Sequence, residues 1–332
     1  MIETIYFEDE IKSHPRTQKI FSKFQNIRKI NINRYGEIFN RRNQNFKIQK
    51  ENPALIIAKK HSNFVLKAPE NFGIGSNDNF YFSHMYNCIY DCKYCFLQGM
   101  YSSSNFVLFV NFEDFNKNIK EIIEKNPSKK LTFFSGYDCD SLALEKITGF
   151  AEQTIPFFKN YPNALLELRT KSNQIHPLDK IKPIDNCVVA YSLMPEKISK
   201  QIDLKTPSIN RRILSIKKLA DLGWKIGIRF DPLIHGKNWK NLYKELHDNV
   251  FKSIPLKSIH SISYGTLRFP KSMFKKIHNL HSDEKLFSGP FTFGQPEIGY
   301  KIEIEEEMIE FCKNLSSKIL PESIIFRCTT SI

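Results

Sequence analysis

Three cysteines fall within eight residues, Cys88-Ile-Tyr-Asp-Cys92-Lys-Tyr-Cys95, and no other stretch constrains this chain as much. Three soft ligands on one loop ask for a soft metal centre. A fourth ligand is not close by, since the next thiol is Cys139 and the nearest imidazole is His84. A structural zinc site wants four closed ligands, usually as two separated pairs. A four-iron cluster can be held by three thiolates, which leaves one iron open to a small molecule. The C-x3-C-x2-C spacing therefore favours an iron–sulfur centre, with a zinc site and an incidental grouping as the alternatives.

The rest of the composition suits a soluble enzyme. The chain has 332 residues, of which 41% are apolar, enough for a large core. No apolar run reaches the roughly 18 residues of a membrane span. The first ten residues are acidic and carry no apolar signal region, so a cytoplasmic protein is expected. Seven cysteines, with Cys139, Cys187, Cys312 and Cys328 scattered, do not form a disulfide framework. The net charge of +14 attracts polyanions and makes nucleic acid the first partner to consider. A basic, Lys-rich and Asn-rich proteome would leave the same mark.

In chain order, residues 1–50 hold 11 Lys and Arg against 5 acids. They read as a strand at 5–7, a basic helix at 11–24 and a strand at 27–32, with a further strand at 55–58 and a polar connection at 71–79. From 81 the pattern becomes alternating apolar runs and helical segments, the mark of βα units around a parallel sheet. Strands are expected at 81–85, 106–110, 131–134, 165–168, 188–193, 226–230 and 259–264. Helices are expected at 112–125, 141–159, 208–222, 239–251 and 271–279. A Gly- and Pro-containing loop at 288–296, a closing helix at 300–320 with acidic first turns, and a strand at 324–327 follow. The expected fold class is α/β, a partial (β/α)6 barrel with a small lead-in and a C-terminal extension. The division reads 1–78, 79–279 and 280–332.

The Cys spacing, with Tyr94 before the last thiol and Phe96 after it, resembles the radical S-adenosylmethionine superfamily. That resemblance implies a [4Fe-4S] cluster on Cys88, Cys92 and Cys95, and S-adenosylmethionine as cofactor. An electron from the cluster, supplied by an external flavodoxin or ferredoxin, then cleaves the cofactor to methionine and a 5'-deoxyadenosyl radical. Further segments narrow the match: Asp140-Ser-Leu-Ala-Leu-Glu145, Thr170-Lys171, Tyr191-Ser192, Ala220-Asp-Leu-Gly-Trp-Lys-Ile-Gly227, and Asp231-Pro232 with His235 and Trp239. Their order from about residue 50 onward resembles the spore photoproduct lyase family. The family implies radical reversal of a thymine photodimer in DNA. It also implies cofactor contacts from Tyr94, Lys171 and Ser192, with the Lys171 ammonium paired to the cofactor's carboxylate.

Two departures from that family stand out. Its members donate the closing hydrogen from a Cys three residues before the Asp of the Asp-x4-Glu segment, and a Tyr after the third cluster Cys relays it. Here Tyr137 and Phe96 occupy those positions. Cys139 is the nearest substitute thiol, and it reads either as an offset donor or as an unreactive wall. A DNA contact is expected at 249–282, which lacks any Asp or Glu and interleaves Lys252, Lys257, Arg268, Lys271, Lys275 and Lys276 with Phe251, Tyr264, Phe269 and Phe274. A barrel helix with Phe inward and Lys outward would show the same pattern.

Overall fold

The structure, a computed structural model, describes residues 2–69, 72–294 and 296–328. Its centre is a run of six parallel strands paired in chain order: Asp78–Phe82, Leu131–Ser135, Ala164–Thr170, Cys187–Ser192, Lys225–Leu233 and Ile259–Thr266. These are the first to sixth barrel strands below. Ile325–Arg327 extends the sheet in parallel beyond the sixth, and Leu66–Lys67 pairs antiparallel beyond the first. The sheet curls as a half-barrel. The inner strands are largely buried on both faces, as a helix-covered parallel sheet requires, and every residue of Cys187–Ser192 is buried.

The covering helices follow their apolar spacing. In Phe112–Glu124 the residues Phe112, Phe115, Ile119 and Ile123 form the buried stripe, and Glu113 and Asp114 complement the first-turn dipole. Ile209–Asp221 and Trp239–Ser253 cover the later strands in the same manner. The expected helix at 141–159 is two helices, Glu145–Thr148 and Phe150–Phe158, because Gly149 takes a left-handed φ of 60° between them. The buried Glu145 carboxylate then caps the second one, accepting from the backbone N–H of Ala151 and Glu152 at 3.0 and 3.1 Å. The expected basic helix likewise starts only at Pro15, giving Pro15–Lys23 after a 3-10 turn at Asp9–Ile11.

Two strands differ from the sequence reading. Phe106–Phe109 does not join the barrel; it pairs with Leu55–Ala58 in a five-stranded sheet that also holds Thr4–Glu8, Arg28–Ile32 and Met85–Tyr86. All four of its side chains are buried, and the apolar strand Leu55–Ala58 offers the matching surface. The segment 81–85 is therefore split, with Phe82 ending the first barrel strand and Met85 opening a strand of the other sheet. The loop expected at 288–296 contains a strand, Phe291–Phe293, paired with Glu297–Tyr300, which pairs in turn with Arg268–Pro270. Stacking of Phe291 on Tyr300, centroids 5.5 Å apart, accounts for it. The polar connection expected at 71–79 begins on a residue outside the described ones. We propose the division 1–78, 79–279 and 280–332 as a working one, with Phe106–Phe109 as the element that ties the first two parts together.

Inside the half-barrel lies a charged layer. Glu167 and Arg229, both fully buried, pair at 2.7 Å, and Arg169 reaches the same carboxylate at 2.9 Å. Burial opposes the charge on Glu167, but Arg229 and Arg169 outweigh it and hold the carboxyl down at about 2. Gly227 makes room for this pair, since a Cβ there would stand 2.7 Å from the Arg229 guanidinium and 2.9 Å from Ala190.

Candidate active site

The thiols of Cys88, Cys92 and Cys95 sit where the chain leaves the C-terminal end of the first barrel strand, the end at which barrel chemistry is built. Several elements grip their loop. Asp91–Cys92 pairs antiparallel with Asp203–Leu204, Lys93 N donates to the Ile202 carbonyl at 2.8 Å, and Gln98 Nε2 donates to the Cys92 carbonyl at 2.7 Å. All seven cysteines are free. Burial pushes the Cys88 thiol up to about 12 and raises Cys92 and Cys95 too. Such thiols keep their protons until a metal displaces them.

The spread of the sulfurs speaks to which metal fits. Among the described residues, the set of three ligand atoms lying within 4.8 Å of one another is Glu8, Glu10 and His61, and the cluster thiols form no such set. Zinc at about 2.3 Å from each sulfur would draw them closer than that. Three thiolates standing further apart suit a multi-iron cluster. The Glu8, Glu10 and His61 group already faces cations, with Arg34 against Glu8, Glu10 and His61 and Lys59 at 3.6 Å from Glu10.

Lys171 follows the third barrel strand and brings the cofactor candidates together. Its ammonium donates to Asp203 Oδ1 at 2.8 Å, to the Tyr94 hydroxyl, and to Cys92 Sγ at 3.2 Å. The Tyr94 hydroxyl donates to Asp203 as well. The other Asp203 oxygen accepts from Arg212 Nη2 at 2.8 Å, and Arg212 Nη1 donates to the Ser192 carbonyl at 2.9 Å. Burial works against the charge on Asp203, yet Lys171 and Arg212 hold its carboxyl well below the usual range. Burial likewise opposes the Lys171 charge, and Asp203 and the Cys92 sulfur raise it above the ordinary lysine value. Asp203 and Arg212 were not identified from the sequence. Arg212 left a signal, because it lies on the apolar stripe of Ile209, Ile213 and Ile216, where a solvated arginine has no place. Asp203 left none.

Asp140 is a brace. It accepts from Thr170 Oγ1 and Lys171 N, each at 2.7 Å, and from Leu142 N and Ala143 N, so it fixes the backbone on which Lys171 stands. On the same loop Tyr137 and Cys139 part company. The Tyr137 ring, 42% exposed, packs against Tyr81 at 4.5 Å and Phe96 at 5.2 Å. The Cys139 thiol is buried 4.0 Å from His84 Nδ1, and burial drives it well above the ordinary thiol value.

The family model for spore photoproduct lyase matches residues 1–323. The chain belongs to the spore photoproduct lyase family. A spore photoproduct lyase of Clostridium acetobutylicum is 22% identical over 319 residues, covering 93% of each chain. One from a Geobacillus strain is 20% identical over 325 residues, covering 95% of this chain and 94% of its own. Among solved structures, a spore photoproduct lyase double mutant with bound AdoMet and dinucleoside spore photoproduct superposes with a TM-score of 0.86 at 16% identity, covering 100% of this chain and 99% of its own. A second, complexed with dinucleoside spore photoproduct, gives a TM-score of 0.83 at 16% identity over 99% of this chain and 98% of its own.

In this chain the loop of Cys88, Cys92 and Cys95 offers three free thiols, the donor set that a [4Fe-4S] cluster with one open iron requires. Within this spore photoproduct lyase family chain, the segment 249–282 divides by burial. Tyr264 and Phe269 are core, with Tyr264 stacked on Phe230 at 5.2 Å, so neither can stack on a base. Lys252, Lys257, Lys271, Lys275 and Lys276 are exposed. Phe274 belongs to a cluster with Phe269, Phe287 and Phe291, from which Phe293 on the neighbouring hairpin projects, 65% exposed. Among the described residues no helix is long and apolar enough to cross a membrane.

Proposed function

We propose that this chain is a cytoplasmic repair lyase acting on a thymine photoproduct in DNA. Cys88, Cys92 and Cys95 hold the cluster, Tyr94, Lys171 and Ser192 hold the cofactor, and an external flavodoxin or ferredoxin supplies electrons. When bound, the cluster and S-adenosylmethionine together supply a radical able to abstract hydrogen from the substrate. The observation that carries this reading is the Lys171 ammonium, 3.2 Å from Cys92 Sγ at the mouth of the barrel. A cation there meets a carboxylate arriving beside the thiolate loop. An ammonium has three protons to give, and Lys171 spends them on Asp203, Tyr94 and Cys92. Taking the cofactor's carboxylate means exchanging one of these, with Asp203 and Arg212 keeping the ammonium charged and oriented meanwhile. Ser192 presents its carbonyl to Arg212, which leaves its hydroxyl for a ribose or backbone partner.

The closing hydrogen comes from Tyr137 in this reading. Its hydroxyl belongs to a half-exposed ring beside Phe96, whereas the Cys139 thiol is buried against His84. The exposed lysines of 249–282 supply phosphate contacts. The test is turnover of a dinucleoside spore photoproduct by anaerobically reconstituted, reduced protein, read as thymine product formed.

A second reading keeps the radical chemistry and changes the substrate. The observation in its favour is that Phe96 and Tyr137, both departures from the family pattern, touch each other. Cofactor cleavage without consumption of any thymine photoproduct would select it.

A further inference from the structure

Lys50 is a buried ammonium without a carboxylate. It lies on the helix Phe46–Glu51, 7% exposed, and donates to the carbonyl of Cys88, the first cluster ligand. Its other neighbour is the Phe106 ring, 6.0 Å away. The remaining buried cations are compensated. Lys171 and Arg212 share Asp203, and Arg229 pairs with Glu167. Lys60 is caged by the rings of Tyr86, Phe109 and Phe115 at 5.0, 5.1 and 5.8 Å. Among the described residues Lys50 has neither a carboxylate nor a cage. Burying a charge without a partner is expensive, and the chain still fixes this one in place. Lys205 donates to the Lys50 carbonyl at 3.1 Å and stands 4.0 Å from Asp91, so the helix is tied to the loop at two points.

We propose that Lys50 is a positioning residue whose ammonium is the counter-charge of the cluster and raises its reduction potential. The proposal rests on the cluster reading above. One-electron reduction adds a negative charge to a centre already bound by three thiolates, with no bond made or broken and no proton moved. A fixed buried cation beside the loop stabilises the more negative state more than the less negative one. It acts from the N-terminal region, outside the barrel and outside the Cys motif. Before iron is bound, the Cys88 carbonyl and the Phe106 ring are what this cation faces, with no carboxylate opposite it.

The test compares wild-type protein with Lys50→Met and Lys50→Arg, each reconstituted anaerobically with iron and sulfide. Dithionite is the reductant, and the reduced cluster is read by electron paramagnetic resonance in a redox titration. Lys50→Met is expected to bind iron as the wild type does and to hold about tenfold less reduced cluster at a given potential, a downward shift of 59 mV for a one-electron couple. Lys50→Arg keeps the charge and restores the potential. Without iron, Lys50→Met melts no lower than the wild type, whereas a lysine serving only to hold the Cys88 carbonyl would leave the variant less stable. An unchanged midpoint in Lys50→Met with full iron overturns the proposal. So does loss of iron from both variants, which makes Lys50 a structural clamp. Failure of the wild type to bind iron would instead overturn the cluster reading itself.

Discussion

The rings of Phe96 and Tyr137 lie 5.2 Å apart and are tilted by 46°. One follows the third cluster cysteine and the other begins the loop after the second barrel strand, so the fold joins two positions 41 residues apart in sequence (137 − 96). Phe96 has no exchangeable hydrogen. Tyr137 has one, on an oxygen that burial holds protonated up to about 12. A phenol has thus moved from one side of this contact to the other relative to the family pattern.

The first prediction concerns that phenol. Tyr137→Phe should abstract hydrogen and cleave cofactor normally, but lower clean product by about tenfold or more, with by-products accumulating. Cys139→Ala should leave the product ratio unchanged. Chromatography of products from a dinucleoside photoproduct reads both, and by-products from Cys139→Ala alone would transfer the donor role to that thiol.

The second concerns the cation at the barrel mouth. Lys171→Ala should weaken S-adenosylmethionine binding by roughly 1.5 to 3 kcal/mol, the worth of a charge-assisted hydrogen bond, with iron content intact. Arg212→Met should weaken it less, because Arg212 acts through Asp203. Equilibrium dialysis measures the change, and unaltered affinity in Lys171→Ala removes that residue from the site.

The third is metal removal. Wild-type protein should take up about four irons per chain, and Cys92→Ala should lose the cluster. Iron retained in full by a variant lacking Cys88, Cys92 and Cys95 would place the metal elsewhere.

The fourth is a pH dependence from Glu145. Burial raises its folded pKa to about 7 from an ordinary 4.5. Between those values the folded chain holds a proton that the unfolded chain has released. Stability therefore falls as pH rises from about 4.5 to 7, by roughly 3 kcal/mol in all. Glu145→Gln should flatten this part of the stability curve, measured by urea unfolding across that range.

The fifth separates fold from site. Arg229→Met leaves Glu167 buried beside Arg169 alone and should destabilise the chain by about 3 to 5 kcal/mol. Cofactor affinity should not change, as dialysis on the folded fraction would register.

The barrel was legible because its strands are short, largely apolar runs and its helices carry one apolar stripe each, patterns that local spacing records directly. Phe106–Phe109 shows the limit. An apolar strand buried on both faces looks the same in either sheet, and only its partner, Leu55–Ala58, decides. The thiol loop stands out by its spacing, whereas Lys171 and Ser192 entered only through the resemblance to the family, and the fold brings Lys171 to within 3.2 Å of Cys92 Sγ. Asp203 was not, since a single carboxylate gains its meaning from Lys171 and Arg212, 32 and 9 residues away. Tyr264 and Phe269 read as possible base-stacking rings until burial placed them in the core.

The pairing of Asp91–Cys92 with Asp203–Leu204 also bears on how the enzyme comes to be made. During synthesis the thiols emerge more than a hundred residues before the strand that flanks them. Until the ribosome has passed Leu204, the loop lacks that partner and the carboxylate that orients Lys171. Iron delivery to the growing chain would meet three loose cysteines, open to oxidation and to the wrong metal. The maturation machinery should therefore act only once Asp203 and Leu204 have emerged and paired with the loop.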